Sequence, residues 1–538
     1  MERHSDCTRS ALGWPKREMS SSPDIAISAL ITGATDTRFN VVVVLNPPSP
    51  PGYFANRDSH GGYGQLYPSG ATIMPPLDVP YLVAYLEEKK VPVEVIEAQG
   101  LGLTREQVAE RIARIAHANA PGGTLIVART ALPSLDWDLS VCAAIKSAAT
   151  DVRVAVYGST VGHVLHRIYK ETCVDYVLRG EPDETVYELV SGRPEQQVQG
   201  LNYQHNGSWL EAPPRAFLRE LDKLPFPKWE RLPYHRYTLP KSSTTKGLSF
   251  LPMLTSRGCP FGCHYCPYPV GQGLAWRYRT PANVVDEIEH LVKNLGIEYI
   301  LFRDPMFSMR QDRVVEICKE IQRRGLVIKW KCETRPDCLT EETIAAMAAA
   351  GCDGINFGVE SSEVEIQKNV GRKPISREKI VEMTAICRKH SIKTFCFFII
   401  GLPGDTVQTV LETIGFGVRL GANWVQFNAA SPLIGTKLRD WAVAQGLTTH
   451  DEYSYNSSHE AMIGNENLTK GQVAALLHFA QVFERYIINR GGILKDDNRK
   501  GLLYVGAKRL ADTVSNLSAR TLFALGRSRF ERAYAQSP

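Results

Sequence analysis

The sequence predicts an α/β protein built from two successive parallel sheets and a helical C-terminal region. β-Branched runs alternate with amphipathic segments over residues 39–191, and the same alternation returns over residues 252–428. Strand-like runs then stop beyond about residue 446. Strands that alternate with helices favour parallel pairing with right-handed crossovers. At 538 residues the chain is too long for one ordinary core, so we expect two or three domains.

The first block of alternation predicts a doubly wound, Rossmann-like sheet over residues 37–195. Residues 39–45, Phe-Asn-Val-Val-Val-Val-Leu, are the continuous run typical of a strand buried on both faces. Residues 1–36 are rich in Ser, Thr, Asp and Arg without periodicity, which predicts a disordered tail. The pattern further predicts strands at 91–96, 124–128, 152–157 and 175–178, with helices at 79–89, 105–118, 137–149 and 183–191.

Proline-rich residues 196–247 separate the two blocks. They include the run Leu-Pro-Phe-Pro-Lys-Trp at 224–229, which no regular helix accommodates, so we predict a connector packed by aromatic side chains. Residues 248–445 supply six βα units, which predict a partial (β/α)6 TIM-like barrel. Residues 446–538 form the predicted helical region, with a helix at 470–490 and a basic end. The strands of the second block are expected at 252–256, 299–303, 329–333, 354–358, 394–400 and 424–428.

Composition argues against several classes of protein. Hydrophobic residues make up 43% and charged residues 22% of the chain, and the formal net charge of +5 does not indicate a nucleic-acid partner. The longest apolar runs fall far short of the roughly 20 residues of a membrane span. Residues 1–6, Met-Glu-Arg-His-Ser-Asp, carry no apolar signal core. The twelve cysteines lack a secreted spacing, so we expect a reducing, cytoplasmic location.

Three cysteines, Cys259, Cys263 and Cys266, lie in the run Ser-Arg-Gly-Cys-Pro-Phe-Gly-Cys-His-Tyr-Cys. This C-x3-C-x2-C spacing supplies three thiolates from one tight loop and no fourth. A structural zinc site is normally bound by four protein ligands, and in an electron-transfer cluster every iron normally has a protein ligand. A four-iron cluster held by three cysteines keeps one iron open, where a small molecule can bind.

The cysteine motif, with its Tyr265 and the preceding run Leu-Pro-Met-Leu-Thr at 251–255, resembles the radical S-adenosylmethionine (SAM) superfamily. The resemblance implies a [4Fe-4S] cluster whose open iron is chelated by the amino and carboxylate groups of SAM. It also implies that one electron from the cluster cleaves SAM and releases a 5′-deoxyadenosyl radical.

Two later segments extend the resemblance over residues 250–440. Gly-Val-Glu-Ser at 358–361 is similar to the family's fourth-strand segment, and Ile-Ile-Gly-Leu-Pro-Gly-Asp at 399–405 to the fifth, which lies against adenine. Gly401 would let the backbone approach that flat base. Arg372 could pair with the SAM carboxylate or be a surface charge. Many relatives carry Glu where this chain has Asp405, which leaves its role open. The implied SAM contacts are Tyr265, Glu360, Ser361, Arg372, Ile400, Gly401 and Leu402.

The first block carries no common nucleotide motif. Asn-Pro-Pro-Ser at 46–49 follows the first strand where Gly-x-Gly-x-x-Gly would stand, and no Gly-x4-Gly-Lys-Ser/Thr occurs, so NAD, FAD and ATP are not expected. Instead, residues 75–82, 157–163 and 174–181 resemble the cobalamin-binding domain found ahead of many radical SAM domains. Gly158 and Gly180 also suit ordinary turns. The implied cobalamin contacts are Pro76, Leu77, Thr130, Ser134, Gly158, Ser159, Thr160, Gly162, Gly180 and Glu181.

The sequence also bears on whether a histidine would bind the cobalt of cobalamin. In some cobalamin proteins the histidine of an Asp-x-His-x-x-Gly motif is a ligand of the cobalt. Asp58 and His60 begin such a motif here, but the glycine falls one residue late, at Gly64. We therefore expect no histidine on cobalt.

The resemblances together imply a cobalamin-dependent radical SAM enzyme, and we predict a methyltransferase that acts on an unactivated carbon of a small biosynthetic intermediate. A carbon without an acidic proton cannot be made nucleophilic by a general base, and a radical removes that need. A reductant such as flavodoxin or ferredoxin is the implied partner. Three alternatives stay open: a cyclase, rearrangement or oxidation enzyme with the same cofactors, a non-catalytic corrinoid or iron–sulfur protein, and a methylthio-tRNA enzyme. The last normally adds a cysteine trio that Cys142 and Cys173 alone do not supply.

Overall fold

A run of valines forms an interior strand of the first sheet in the computed structural model, which describes residues 38–68, 74–121, 123–237, 247–449 and 460–484. Every residue of that strand, Val41–Asn46, is buried, because helices cover both faces of the sheet. The strands of this part of the chain are β1 (Val41–Asn46), β2 (Tyr53–Asn56), β3 (Gln65–Pro68), β4 (Val93–Glu97), β5 (Thr124–Arg129), β6 (Val152–Tyr157), β7 (Tyr176–Leu178), β8 (Leu201–His205) and β9 (Ser208–Glu211).

The first sheet has the strand order β4-β1-β5-β6-β7-β8-β9, and β2 pairs with β3 in a separate hairpin. Strands β4, β1, β5, β6 and β7 are parallel, whereas β8 and β9 run antiparallel. The chain passes from β1 to β4 on one side and then to β5 on the other. Ligands of such sheets bind outside the carboxyl ends of the strands, where the order reverses.

The helices around the first sheet follow the predicted pattern. The 105–118 helix, for example, begins with a capping box in which the Thr104 and Gln107 side chains each accept from the other's backbone amide. Four of the helices match the prediction within a few residues; the others are short. Their bounds are α1 (Ser59–Gly62), α2 (Asp78–Glu88), α3 (Ala98–Leu101), α4 (Arg105–Ala118), α5 (Leu135–Ala148), α6 (Leu165–Ile168) and α7 (Pro182–Val190).

The proline-rich connector differs from the expectation at its start. Strands β8 and β9 lengthen the first sheet to residue 211, beyond the boundary predicted at 195. Asn206 and Gly207 join them, with φ of 51° and 77°. Asn-Gly with positive φ at both positions is a strong hairpin signal, and it explains why the sheet continues past the predicted boundary. Farther along, Trp229 and Tyr237 are almost completely buried in a core that both sheets share.

The second sheet contains the six parallel strands that the sequence predicts, in the order β10-β13-β14-β15-β16-β17. A short antiparallel pair, β11 with β12, flanks the cysteine motif. In the regions described, no pairing joins β10 to β17, so the sheet is open. Its strands are β10 (Phe250–Met253), β11 (Ser256–Arg257), β12 (Arg277–Tyr278), β13 (Tyr299–Phe302), β14 (Lys329–Thr334), β15 (Cys352–Glu360), β16 (Lys393–Ile400) and β17 (Trp424–Ala429).

One face of the second sheet packs on helices. On β16, Thr394, Cys396, Phe398 and Ile400 are buried, while the residues between them are partly exposed on the other face. The helices are α8 (Tyr268–Gln272), α9 (Pro281–Leu295), α10 (Gln311–Arg323), α11 (Glu341–Ala349), α12 (Val364–Asn369), α13 (Arg377–Lys389), α14 (Val407–Arg419), α15 (Lys437–Ala444) and α16 (Lys470–Phe483).

Helix α16 begins where the sequence predicts, at Lys470. The continuation of that helix to residue 490, the basic end and the predicted tail at 1–36 lie outside the described residues. Contacts group the described part of the chain into one compact unit. Within it, no helix combines the length and apolarity needed to cross a bilayer.

Candidate active site

The cysteine motif forms a loop between β11 and α8. It begins at Gly258, whose φ is +83° and whose missing Cβ would lie 2.2 Å from the carbonyl oxygen of Ala275, so no larger residue fits there. The backbone amide of Cys259 donates to Gly273 O at 3.2 Å, and that of Cys266 donates to Cys263 O at 3.1 Å. These bonds fix the three thiols on one short, tightly folded segment.

The surroundings of the thiols suit an anionic iron–sulfur cluster. Burial raises the pKa of Cys259 and of Cys266, and the neighbouring thiols raise both further. Arg335 and Arg372 act in the opposite direction on Cys259, because their positive charges favour its thiolate. A cluster gives each thiol its own iron, so the thiols need not meet at one point. Among the residues described, no three His, Cys, Asp or Glu side chains are grouped to hold a single metal ion.

Arg372 links two of the predicted SAM-binding segments. Its Nη1 donates to the Tyr265 hydroxyl at 3.2 Å, its Nη2 donates to Gly358 O at 2.6 Å, and Glu360 Oε1 lies 3.8 Å from Nη1. Its Nε is buried and has no hydrogen-bond partner in the described ranges. Arg372 is therefore no surface charge, and its pairing with the SAM carboxylate stays a prediction.

Glu360 adopts an uncommon backbone conformation at the carboxyl end of β15. Its φ is +68°, and the register of β15 with β16 shifts between Gly358 and Glu360. A residue other than glycine with positive φ costs energy and is enriched at functional sites. Burial raises the pKa of Glu360, although the nearby Arg372 opposes that shift. The strain directs this carboxylate toward Tyr265 and Arg372.

The end of β16 is shaped by Asp405. Its Oδ2 accepts from the amides of Gly401 and Leu402, both at 3.0 Å. Gly401 has φ of +83°, and a Cβ there would lie 2.8 Å from Val473 on α16. Val473 thus accounts for a glycine at this position without a ligand, and the approach of a flat base to the backbone of Gly401 stays a prediction.

Two predicted SAM contacts have side chains engaged elsewhere. Ser361 Oγ lies 3.3 Å from Thr413 Oγ1 and accepts from the amide of Glu363, while Ile400 is fully buried in the core behind the sheet. Leu402 packs in a small apolar cluster that Tyr265 adjoins. The structure thus brings together Tyr265, Glu360, Arg372 and Leu402. Ser361, Ile400 and Gly401 have only their backbone groups available for a contact with SAM.

A cleft that is partly open to solvent lies at the carboxyl ends of β5, β6 and β7. Its other wall is formed by Tyr268, Gly271 and Gln272 of α8, directly after the cysteine loop, together with Arg257 and Arg303. The cleft and the cysteine loop therefore share a wall. Six of the ten predicted cobalamin contacts line it: Leu77, Thr130, Gly158, Ser159, Gly180 and Glu181.

The other four predicted contacts, Pro76, Ser134, Thr160 and Gly162, are not part of the cleft lining. Ser134 Oγ donates instead to Asp138 Oδ2 at 2.7 Å, and Thr130 donates to the same oxygen at 2.9 Å. These hydroxyls stabilise a buried ion pair between Asp138 and Arg57.

Two residues that do line the cleft also have structural roles. A Cβ at Gly158 would lie 2.2 Å from Thr130 O, so this glycine lets two strand ends approach rather than making room for a ligand. The carboxylate of Glu181 already binds Arg257, Arg277 and the amide of Leu218.

The cleft also contains a charged group that was not predicted from the sequence. Arg129, at the end of β5, pairs with Asp58 and with Asp78, whose Oδ1 lies 2.6 Å from Arg129 Nε. The Tyr157 hydroxyl and Ser159 Oγ are buried without a hydrogen-bond partner among the residues described. Unpaired polar atoms of this kind fit a polar ligand in the cleft. Arg129 ends a predicted strand, so the carboxyl-end rule could have found it.

His60 is not among the residues that line the cleft. It has a left-handed φ of 55° and lies in the electrostatic field of Arg303 and Glu333; burial and the Arg303 charge lower its pKa. Its neighbour Gly61 packs against α8, since a Cβ there would lie 2.9 Å from Tyr268. The segment around Asp58 and His60, which begins like a cobalt-binding motif, thus contacts α8 beside the second sheet.

Comparisons with known proteins agree with this geometry. The family model described as the radical SAM superfamily matches residues 253–417. A protein named "uncharacterized methyltransferase PH0819", from Pyrococcus horikoshii, is 30% identical over 417 residues, which are 76% of this chain and 88% of that protein.

Two solved structures share the fold. The radical S-adenosylmethionine methyltransferase TsrM from Kitasatospora setae, solved with cobalamin and a [4Fe-4S] cluster, has a TM-score of 0.60 at 18% identity and 76% coverage of each chain. OxsB, a cobalamin-dependent S-adenosylmethionine radical enzyme solved with aqua-cobalamin, has a TM-score of 0.58 at 16% identity, covering 92% of this chain and 71% of its own. These likenesses confirm the predicted α/β fold class.

Proposed function

This chain belongs to the radical SAM superfamily, and we propose that it is a cobalamin-dependent methyltransferase that acts on an unactivated carbon of a small molecule. One observation carries the proposal. A cleft at the carboxyl ends of the first sheet shares a wall with the cysteine loop of the second. A relative named as a methyltransferase aligns with 76% of this chain, so the alignment extends well beyond the 165 residues of the family model's match.

We assign the cofactors to three neighbouring groups of residues. Cys259, Cys263 and Cys266 would hold the [4Fe-4S] cluster. Tyr265, Glu360 and Arg372, with backbone groups at 400–402, would hold SAM, since Arg372 Nε is a buried donor without a partner among the described residues. Ser159 and Tyr157 would donate to cobalamin, whose amide side chains accept hydrogen bonds.

The reaction needs both cofactors next to one substrate. When bound, the cluster and SAM supply a 5′-deoxyadenosyl radical, and cobalamin supplies the methyl group. The protein's part is to hold the substrate between the two sheets and to exclude water. The ion pairs of Glu181 with Arg257 and Arg277 fix the first sheet against the cysteine loop. A small-molecule substrate, a flavodoxin or ferredoxin as electron donor, and a cytoplasmic location belong to the same proposal.

The experiment uses protein reconstituted without oxygen with iron, sulfide and cobalamin. With SAM and a reductant we expect 5′-deoxyadenosine, measured by chromatography. Replacing Cys259, Cys263 and Cys266 together by alanine should abolish both the cluster absorption and the product. Cys387→Ala is the matched control, since Cys387 is buried on α13 away from the site. Wild-type protein that holds a cluster but forms no deoxyadenosine would contradict the proposal.

Methyl transfer is tested separately from radical formation. SAM with a deuterated methyl group is supplied together with a small-molecule extract of the source cells, and mass spectrometry follows the label. Label in a new product supports a methyltransferase. Deoxyadenosine with an unlabelled product would favour a cyclase, rearrangement or oxidation enzyme instead.

A further inference from the structure

The open face of the second sheet, opposite its helices, carries polar side chains. On β14, Trp330, Cys332 and Thr334 are buried, whereas Lys331 and Glu333 are partly exposed on the other face. A sheet face that only completed a core would be apolar throughout. Arg303, Asn356, Phe395 and Phe397 lie on the same open face of neighbouring strands.

This open face is continuous with the cleft. Arg303 lines the cleft and its Nη1 donates to Glu333 Oε1 at 2.6 Å. The hydroxyl of Tyr268, another cleft residue, donates to Glu333 Oε2 at 3.4 Å. Tyr268 follows Cys266 by two positions, so a molecule on the open face would lie beside the cysteine loop. This is the place where the proposed function requires the substrate.

Lys331 is the unusual group on the open face. Its stem crosses β15 at Gly354, where an added Cβ would lie 3.3 Å from Lys331 Cγ. Its ammonium lies 3.3 Å from the centre of the Phe395 ring. Among the described residues, Lys331 forms no hydrogen bond and no ion pair within 4 Å, and burial lowers its pKa to about 8. A lysine in this position is normally paired.

The nearby carboxylates do not form an ion pair with the Lys331 ammonium, because each of them is bound by another residue. Glu333 is already bound by Arg303, and Asp353 accepts from the Tyr299 hydroxyl at 2.7 Å. Asn356 Oδ1 is buried and also lacks a hydrogen-bond partner within the described ranges. Among the described residues, the open face therefore offers an ammonium whose one contact is the Phe395 ring, the acceptor Asn356 Oδ1 without a hydrogen-bond partner, and the phenyl ring of Phe397 beside that of Phe395.

We propose that the substrate is a small organic acid whose anionic group binds Lys331 while its apolar body packs on Phe395 and Phe397. This inference rests on the proposed function, because it places the substrate beside the cofactors. It narrows the substrate from any small molecule to an acid. The anion would complete the ion pair that Lys331 lacks.

The test uses reconstituted holoenzyme and two probes of nearly equal shape, benzoate and neutral benzamide. Calorimetry should give benzoate at least about 10-fold tighter binding, in line with a charge-assisted contact. Lys331→Gln should remove that preference, and Lys331→Arg should keep most of it. Lys329→Gln is the matched control, since Lys329 lies on the same strand but is exposed. Equal binding of the two probes by the wild type, or a preference that survives Lys331→Gln, would overturn the inference.

Deoxyadenosine formation by the wild type is measured in parallel. If it occurs and benzoate shows no preference, the substrate inference fails and the radical SAM reaction stands. If the preference is present and no deoxyadenosine forms, the proposed function fails and the acid-binding face remains.

Discussion

The carboxylate of Glu181 accepts a hydrogen bond from Arg257 Nη1 at 2.8 Å, and this contact joins the two sheets at the cysteine loop. Glu181 follows β7 of the first sheet, whereas Arg257 ends β11, two residues before Cys259. Arg277 of β12 binds the same carboxylate at 3.0 Å. All three side chains are at least 88% buried, so the ion pairs are poorly screened by solvent. Glu181 is therefore one of the contacts that hold the cysteine loop against the first sheet.

Glu181→Gln should therefore destabilise the protein. The variant leaves two buried guanidinium groups without their counter-charge, which costs about 3 kcal/mol or more. Thermal unfolding followed by circular dichroism measures the change. Glu341→Gln is the control, because its ion pair with Lys389 is exposed and should contribute less than about 1 kcal/mol. Equal unfolding midpoints for the two variants would show that Glu181 does not hold the sheets together.

Gly158→Ala should disturb the cleft. The new Cβ would lie 2.2 Å from a backbone oxygen of Thr130, so the ends of β5 and β6 must separate, at a cost of about 1–3 kcal/mol. We expect a lower unfolding midpoint and weaker retention of cobalamin on gel filtration. Gly162→Ala is the matched control in the same loop, where the nearest atoms are side-chain carbons of Arg179 at 3.9 Å. Similar behaviour of the two variants would refute the packing role of Gly158.

Much of this architecture could be predicted because it depends on local patterns. The valine run of β1, the six strands of the second sheet and the cysteine spacing are each contained in a few consecutive residues. The contacts of Ser134 show the limit. A strand-end serine can face a ligand or its own helix, and only the structure shows that it donates to Asp138.

Long-range contacts were not readable from the sequence. Arg129 pairs with Asp58, 71 positions away, and Val473 packs on Gly401 from a helix whose docking no local pattern reveals. The proposed substrate contact of Lys331 has the same origin, since its lack of an ion pair among the described residues depends on side chains of three other strands. Side-chain direction and distant neighbours, rather than element type, limited the prediction of the site.

Asp405→Asn should change the pH dependence of stability. Burial raises the pKa of Asp405, whereas its hydrogen bonds with Thr409, Leu402 and Gly401 lower it. The effect of burial is the larger, so the pKa rises from 3.8 to about 7. The folded protein then holds this proton more tightly than the unfolded chain. The associated stability is present below about pH 4 and is lost as the pH rises to about 7, by as much as about 4 kcal/mol.

Asparagine keeps an acceptor for the two amides and does not titrate in this range. The unfolding midpoint of the wild type should therefore fall relative to that of Asp405→Asn between pH 5 and pH 8. Differential scanning calorimetry at fixed ionic strength measures both profiles. Profiles that stay parallel across this range would show that Asp405 is ionised in the folded protein throughout.

Arg372→Lys should weaken SAM binding while the cluster remains. The guanidinium donates at once to Tyr265 and to Gly358, and its Nε has no hydrogen-bond partner among the residues described. Lysine keeps the charge but cannot make this fork of contacts, so we expect about 10-fold weaker binding. Electron paramagnetic resonance of the reduced cluster, titrated with SAM, measures the affinity. Lys368→Arg on the exposed side of α12 is the control. The change to lysine keeps the positive charge and removes only the paired hydrogen bonds of the guanidinium. If the variant has a normal cluster signal and wild-type SAM affinity, Arg372 is excluded from the SAM site.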